Sequence, residues 1–170
     1  MSTVTFKGTA LDLVGQMPAP GQKAPDFTLL SNNLTPCSLK NYAGKVLVIA
    51  TVPSLDTPVC DMEIRRFNKE AATFSDKVQI LAVSCDLPFA QARWCGAAGM
   101  EAVQSLSDHR ECSFGQNYGI LIKDLRLLAR AIFIIDGQAV LRYVQLVPEV
   151  AQEPDYAEAL AALAALNPEV

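Results

Sequence analysis

Two apolar runs constrain this fold more than anything else in the chain. They are Lys45-Val46-Leu47-Val48-Ile49-Ala50-Thr51-Val52 and Val78-Gln79-Ile80-Leu81-Ala82-Val83-Ser84. Neither alternates as a strand with one wet face does, so each reads as a strand covered on both sides. Between them Ile64, Phe67, Ala71 and Phe74 recur at helical spacing, while Arg65, Arg66, Lys69 and Glu70 lie off that stripe. Strand, helix and strand in one unit run parallel with a right-handed crossover in nearly all proteins. The functional loops of such units lie at the carboxyl ends of the strands. The segments that begin at Pro53 and at Cys85 therefore belong to one edge of the sheet.

The first of these segments is Pro53-Ser54-Leu55-Asp56-Thr57-Pro58-Val59-Cys60. Thr57 suits the N-cap, and Pro58 suits the first helical position, where its missing N–H costs nothing. Cys60 then falls at the third helical position. Unpaired backbone N–H groups and the positive end of the helix dipole favour the anionic, nucleophilic form of a sulfur there. Asp56, Asp61 and Glu63 oppose that charge and are expected at solvated positions.

The remaining chain adds smaller elements. Residues 4–6 and 9–14 flank Lys7-Gly8 as a β-hairpin. Residues 15–25 carry Pro18, Pro20 and Pro25 and read as an irregular connection. Residues 26–30 alternate like a strand, and residues 37–39 read as a short strand pairing back. A helix starting near Pro88 is expected to end at Gly96. Residues 102–106 read as a strand and 111–118 as a short helix. Residues 130–135 and 139–146 flank the hairpin turn Asp136-Gly137. A closing helix at 154–166 places Leu160, Leu163 and Leu166 on an apolar face.

At 170 residues with 51% apolar content, the chain is expected to form a single domain, residues 1–170, with a substantial core. A net charge of −4 leaves no basic stripe for nucleic acid. No apolar run reaches membrane-span length, and the first residues lack a secretory signal, which points to the cytoplasm. The five cysteines, Cys37, Cys60, Cys85, Cys95 and Cys112, contain no Cys-x-x-Cys pair. Free or redox-active thiols are expected over a zinc site or structural disulfides.

The spacing Pro53, Thr57, Cys60 resembles the active-site motif of peroxiredoxins. Ser84-Cys85-Asp86-Leu87-Pro88-Phe89-Ala90-Gln91-Ala92-Arg93-Trp94-Cys95 and Ala129-Arg130-Ala131 resemble the thiol peroxidase branch of that family, the atypical two-cysteine type. The likeness runs from Val4 to Tyr156. It implies a thioredoxin-like α/β fold, with a central mixed sheet flanked by helices and an N-terminal hairpin. The order of elements read above agrees. It also implies a cofactor-free reaction. The Cys60 thiolate would attack hydrogen peroxide or an alkyl hydroperoxide and become a sulfenic acid. Cys95 would resolve that acid as an intramolecular disulfide, and thioredoxin would reduce the disulfide. A homodimer is implied in the same way.

Charge on the peroxide oxygens must be stabilised as the O–O bond breaks, which calls for fixed donors beside the sulfur. Arg130 is the one charge in residues 127–135, and a buried guanidinium must be paired. The resemblance gives it the role of supporting thiolate and peroxide. Thr57 reads both as N-cap and as a hydrogen-bond partner of sulfur or substrate. Pro53 shields the pocket from water. From the residue pattern alone Cys85 rivals Cys95, since it follows a strand on the correct edge; the resemblance assigns the resolving role to Cys95. Cys60 near a helix start and Cys95 near a helix end are expected to need local unwinding to meet. Phe27, Phe89 and Trp94 are candidates for an apolar substrate groove or for core. Two rival readings stand beside the peroxidase. One is an acyl-transfer enzyme using Cys60 and His109; the other is a redox sensor that does not turn over.

Overall fold

The structure, a computed structural model, describes residues 2–71 and 73–166. The chain opens with the hairpin β1 (Thr3–Phe6) and β2 (Thr9–Val14). Lys7 and Gly8 turn it at φ 50° and 81°, as a primed two-residue turn requires. There follow β3 (Leu29–Leu30), β4 (Pro36–Cys37), a single 3-10 turn at Leu39–Tyr42, β5 (Val46–Thr51) and α1 (Pro58–Ala71). The middle of the chain forms β6 (Val78–Ser84), α2 (Pro88–Ala98), β7 (Val103–Ser107) and α3 (Ser113–Asn117). It closes with β8 (Leu121–Ile122), β9 (Leu127–Leu128), β10 (Ala131–Ile135), β11 (Leu141–Leu146) and α4 (Tyr156–Ala165).

Seven strands make the central mixed sheet, in the order β11-β10-β5-β6-β7-β3-β4. β5, β6 and β7 run parallel, and the other neighbours are antiparallel. The two apolar runs lie side by side at its centre. Val48, Ala50, Ile80 and Ala82 face a layer made by α1 and α4, with Ile64, Phe67, Tyr156 and Leu163 against them. Leu47, Ile49, Leu81 and Val83 face the other way, onto Phe27, Phe114, Tyr118 and Leu121. Phe114 stacks on Tyr118 at 4.1 Å, and Phe133 meets both edge-on. Burial on both faces is why neither run alternates. Among the described residues, no helix is long and apolar enough to cross a membrane.

The smaller elements depart from expectation where side chains override the pattern. In residues 26–30 only Leu29 and Leu30 pair, because Asp26 spends its carboxylate on the N–H groups of Phe27 and Leu39. Ser38 leaves β4, its N–H bonded to the Asn41 side chain at 2.7 Å. Gly96 does not end α2. The helix runs on to Ala98 and stops at Gly99, whose left-handed φ of 67° lets its N–H close onto the Cys95 carbonyl. The turn after β10 spans five residues, because Asp136 accepts the N–H groups of both Gln138 and Val140. On α4 the buried stripe is Tyr156, Ala159 and Leu163, and Leu160 is half-buried. On α1, Ile64 and Phe67 are buried and Phe74 packs beside them, while the side chain of Ala71 lies outside the described residues. The pair β8 and β9 has no signal of its own length in the sequence. It extends the N-terminal hairpin into a four-stranded sheet, β1-β2-β8-β9.

Candidate active site

The carboxyl ends of β5 and β6 are tied together before the cysteine is reached. Asp86, just past β6, accepts the Ser54 hydroxyl at 2.7 Å, the Leu55 N–H at 2.8 Å and the Ser84 hydroxyl at 2.7 Å. This fixes the loop that launches α1. Thr57 closes the launch: its carbonyl accepts the Asp61 N–H at 3.0 Å, and its hydroxyl donates to the Ser54 carbonyl at 3.1 Å. Pro53 is buried beneath it. Cys60, third residue of α1, has no exposed surface.

Arg130 reaches Cys60 from the start of β10. The hydroxyl of buried Thr51 is shared between the carbonyls of Ala129 (2.8 Å) and Ala131 (3.3 Å) and so clamps the backbone around it. Nη2 of Arg130 lies 3.2 Å from the Cys60 sulfur and 3.0 Å from the Val150 carbonyl. Nε also reaches that carbonyl, at 3.2 Å, and Nη1 bonds Glu63 at 2.5 Å. The guanidinium is therefore pinned on three sides, and a planar fork can hold all three partners at once.

Glu63 corrects the expectation of a solvated carboxylate: it is wholly buried and ion-paired. Burial, only partly offset by Arg130, pushes its carboxyl up to about 7, with Glu153 adding to the rise. Its second oxygen has no partner among the described residues. The sequence carried a signal for this, since Glu63 lies on the face of α1 that holds Cys60 and Phe67, and a buried arginine needs an anion. Asp56 is exposed, and Asp61 is half-buried beside Arg65 and Trp94.

A cavity of about 310 Å³ opens over this group, lined by Pro53, Thr57 and Arg130 and by Phe6, Leu125 and Leu127. Its rim is apolar, with Phe6 and Leu125 exposed. The groove candidates drawn from the sequence lie elsewhere. Phe27 is core, Phe89 projects into solvent at 67% exposure, and Trp94 faces Asp61. The rim residues were missed because they come from β1 and from the β8–β9 pair, distant in sequence from Cys60.

All five cysteines are free. Cys95, in the last turn of α2, donates to the Ser105 hydroxyl on β7 at 3.3 Å. Burial, followed by the nearby Asp108 and Cys112, pushes the Cys85 thiol up to about 12. Cys112 is buried at the start of α3, and Cys37 is half-buried on the edge strand. The imidazole of His109 makes no hydrogen bond to Cys60, whose sulfur is met by Arg130 instead. Among the described residues no cysteine–histidine hydrogen bond is formed that would serve acyl transfer.

Comparison with known proteins shows the family. Residues 20–144 match the model of the AhpC/TSA family. A thiol peroxidase from Halalkalibacterium halodurans is 52% identical over 167 residues, covering 98% of this chain and 100% of that one. The thiol peroxidase of Bacillus subtilis is 49% identical over 166 residues, covering 98% and 99%. A crystal structure of a peroxiredoxin-like protein from Aquifex aeolicus superposes with a TM-score of 0.91 at 40% identity, covering 98% of each chain. The thiol peroxidase from Chromobacterium violaceum, 21% identical with a TM-score of 0.85 over 97% of this chain and 96% of its own, shares the fold. With the family model spanning most of its length and relatives near half-identical from end to end, the chain belongs to the AhpC/TSA family.

Proposed function

We propose that Cys60 is the peroxidatic thiol of this thiol-dependent peroxidase, with Pro53, Thr57 and Arg130 forming its pocket and Cys95 as the resolving thiol. The observation that carries the reading is the Arg130 Nη2 atom 3.2 Å from the buried Cys60 sulfur, with Arg130 itself lining the apolar cavity.

A hydroperoxide enters with its organic group against Phe6, Leu125 and Leu127. The Cys60 thiolate attacks the terminal oxygen, the S–O bond forms and the O–O bond breaks. Cys60 is oxidised to the sulfenic acid, and the departing alkoxide or hydroxide takes a proton to leave as alcohol or water. Arg130 stabilises the charge on the sulfur and then on the departing oxygen. Thr57 has committed its own proton to the Ser54 carbonyl. Its oxygen lone pairs are left to accept the O–H of the peroxide, which orients the substrate. Pro53 keeps water from the sulfur. Cys95 then displaces water from the sulfenic acid and forms the disulfide, and a thioredoxin-type dithiol reduces it. Five free thiols fit a reducing compartment, the cytoplasm. Exposed Leu87 and Phe89 offer an apolar patch for a homodimer.

The test is thioredoxin-coupled consumption of cumene hydroperoxide and hydrogen peroxide. Cys60→Ser is expected to lose all turnover. Cys95→Ser is expected to reduce one equivalent of peroxide and then stop. Undiminished turnover in Cys60→Ser removes the reading, and full cycling in Cys95→Ser moves the resolving role to another thiol.

A further inference from the structure

Oxidised Cys60 and Cys95 have to meet, and the structure holds them apart. Cys60 points to Arg130 at the start of β10, next to β5 in the sheet. Cys95 points to Ser105 on β7, two strands beyond β5 on the other side. The three strand spacings from β10 to β7 are roughly 14 Å, more than a disulfide spans without backbone movement.

The part that can move is the last turn of α2. Only Pro88 and Gln91 of this helix are buried, and both lie in its first half. The turn after Trp94 is Cys95-Gly96-Ala97-Ala98, closed by Gly99. It offers no large side chain to the core, and Gly96 weakens the helix by about 1 kcal/mol relative to alanine. The base of the helix is better anchored, since Gln91 bonds Ser84 and the Leu106 carbonyl, and Asp86 holds the Cys60 loop.

Trp94 is the last large side chain before that turn, and it is tied to the residue after Cys60. Its indole N–H donates to Asp61 Oδ1 at 2.9 Å. Asp61 Oδ2 accepts from Arg65 Nε at 2.8 Å, and the Arg65 guanidinium lies 5.9 Å over the Trp94 ring. Three side chains thus close a ring between the two cysteine-bearing helices. Beside it lies a cavity of about 370 Å³, bounded by Leu55, Thr57 and Asp61 on one side and by Trp94, Ala97 and Ala98 on the other. That space separates the Cys60 turn from the Cys95 turn.

We infer that Trp94, held by Asp61 and Arg65, is a latch that sets how fast Cys95 reaches the oxidised Cys60. It is closed while the peroxide reacts and opens for resolution, when the Cys95 turn unwinds into the adjoining cavity. The step it gates is Cys60–SOH plus Cys95–SH giving the disulfide and water. Trp94, Asp61 and Arg65 are positioning residues here and touch no reacting atom. The inference rests on the assignment of Cys95 as the resolving thiol. Its consequence is chemical: the sulfenic acid waits for the latch, and a second peroxide can meanwhile oxidise it to the sulfinic acid.

The experiment is a single turnover of the reduced full-length chain with excess cumene hydroperoxide, acid-quenched and counted by mass as thiol, sulfenic, sulfinic and disulfide forms. Trp94→Phe keeps the ring and removes the N–H. It is expected to lose the Cys60 thiol at the wild-type rate, to form the disulfide about fivefold faster, as loss of one hydrogen bond allows, and to accumulate less sulfinic acid. Asp61→Ala is expected to speed disulfide formation likewise, and Asp61→Asn, which keeps an acceptor for the indole, to return toward wild type. Trp94 is the only tryptophan, so its emission should shift on oxidation of the wild type and stay fixed in Cys95→Ser. Disulfide formation in Trp94→Phe and Asp61→Ala at or below the wild-type rate overturns the latch. Absence of a Cys60–Cys95 disulfide in the wild type overturns the assignment of Cys95 instead, and the two failures are separate readings of one experiment.

Discussion

Glu63 lies one helical turn past Cys60 and holds Nη1 of Arg130 at 2.5 Å, while Nη2 of the same guanidinium meets the Cys60 sulfur at 3.2 Å. The two groups that compete for one buried cation are thus three residues apart on one helix. Charge on Glu63 fixes where the arginine points, and burial works against that charge.

This sets a pH dependence. Burial raises the Glu63 carboxyl from the ordinary 4.5 to about 7, so the folded chain binds this proton more tightly than the unfolded chain does. The resulting stability is fully present below about 4.5 and is lost as pH rises through about 7. The unfolding free energy of the wild type minus that of Glu63→Gln is expected to fall across this window, by at most about 3 kcal/mol. Urea unfolding of both proteins between these pH values reads the difference. A difference that is flat, or that rises with pH, overturns the assignment of a raised carboxyl.

Arg130→Lys keeps the charge and loses the fork. An ammonium cannot meet the sulfur, Glu63 and the Val150 carbonyl together. The first step, loss of the Cys60 thiol after mixing with peroxide, is expected to slow by about 100-fold, the scale of removing one donor from an anion-stabilising site. Thr57→Val is expected to slow the same step and Thr57→Ser to restore most of it. Stopped-flow thiol loss distinguishes these from defects in resolution, which leave the first step intact.

The apolar rim predicts selectivity. Phe6 and Leu127 line the cavity together with Thr57 and Arg130. Phe6→Ala and Leu127→Gln are expected to raise KM for cumene hydroperoxide about tenfold, the worth of part of one buried apolar side chain. The constants for hydrogen peroxide, which has no organic group to bury, should hardly move. Equal losses for both substrates would mean that the rim supports the fold and not the substrate.

How far the sequence told this story follows from the range of each signal. The βαβ unit, the Cys60 turn and the N-terminal hairpin were legible because their determinants are local: doubly covered apolar runs, a Thr-Pro helix start, a Lys-Gly turn. Arg130 was legible as a charge stranded in an apolar stretch. Its partner Glu63 was not recognised, although it shares the buried face of α1, because acidic residues at a helix start usually sit in water. The substrate rim and the Trp94–Asp61 contact depend on which distant segments the sheets bring together, and single residues such as Phe6 or Leu125 carry no mark of that. The end of α2 was misplaced by three residues because Gly96 and Gly99 are equally plausible stops until one of them adopts a left-handed backbone.

Cys85 rivals Cys95 by its place on the sheet edge, and its surroundings argue against it. It follows β6 on the same sheet edge as Cys60, but it is packed against Asp108 and Cys112. Asp108 is itself a buried carboxyl, raised to about 6 by burial, with the N–H groups of Gly115 and Phe114 opposing the rise. A thiol raised to about 12 has a negligible thiolate fraction near neutrality, and a resolving cysteine must attack as the thiolate. The Cys95 sulfur meets the Ser105 hydroxyl. Cys85→Ser is therefore expected to leave thioredoxin-coupled turnover within about twofold of wild type, while Cys85→Ser in the Cys95→Ser background adds no further loss. The Cys95→Ser protein, given one equivalent of peroxide, should hold a sulfenic acid that dimedone traps quantitatively. If instead a Cys60–Cys85 disulfide forms at the wild-type resolution rate, burial beside Asp108 does not silence this thiol, and α2 has to expose it as readily as it exposes Cys95.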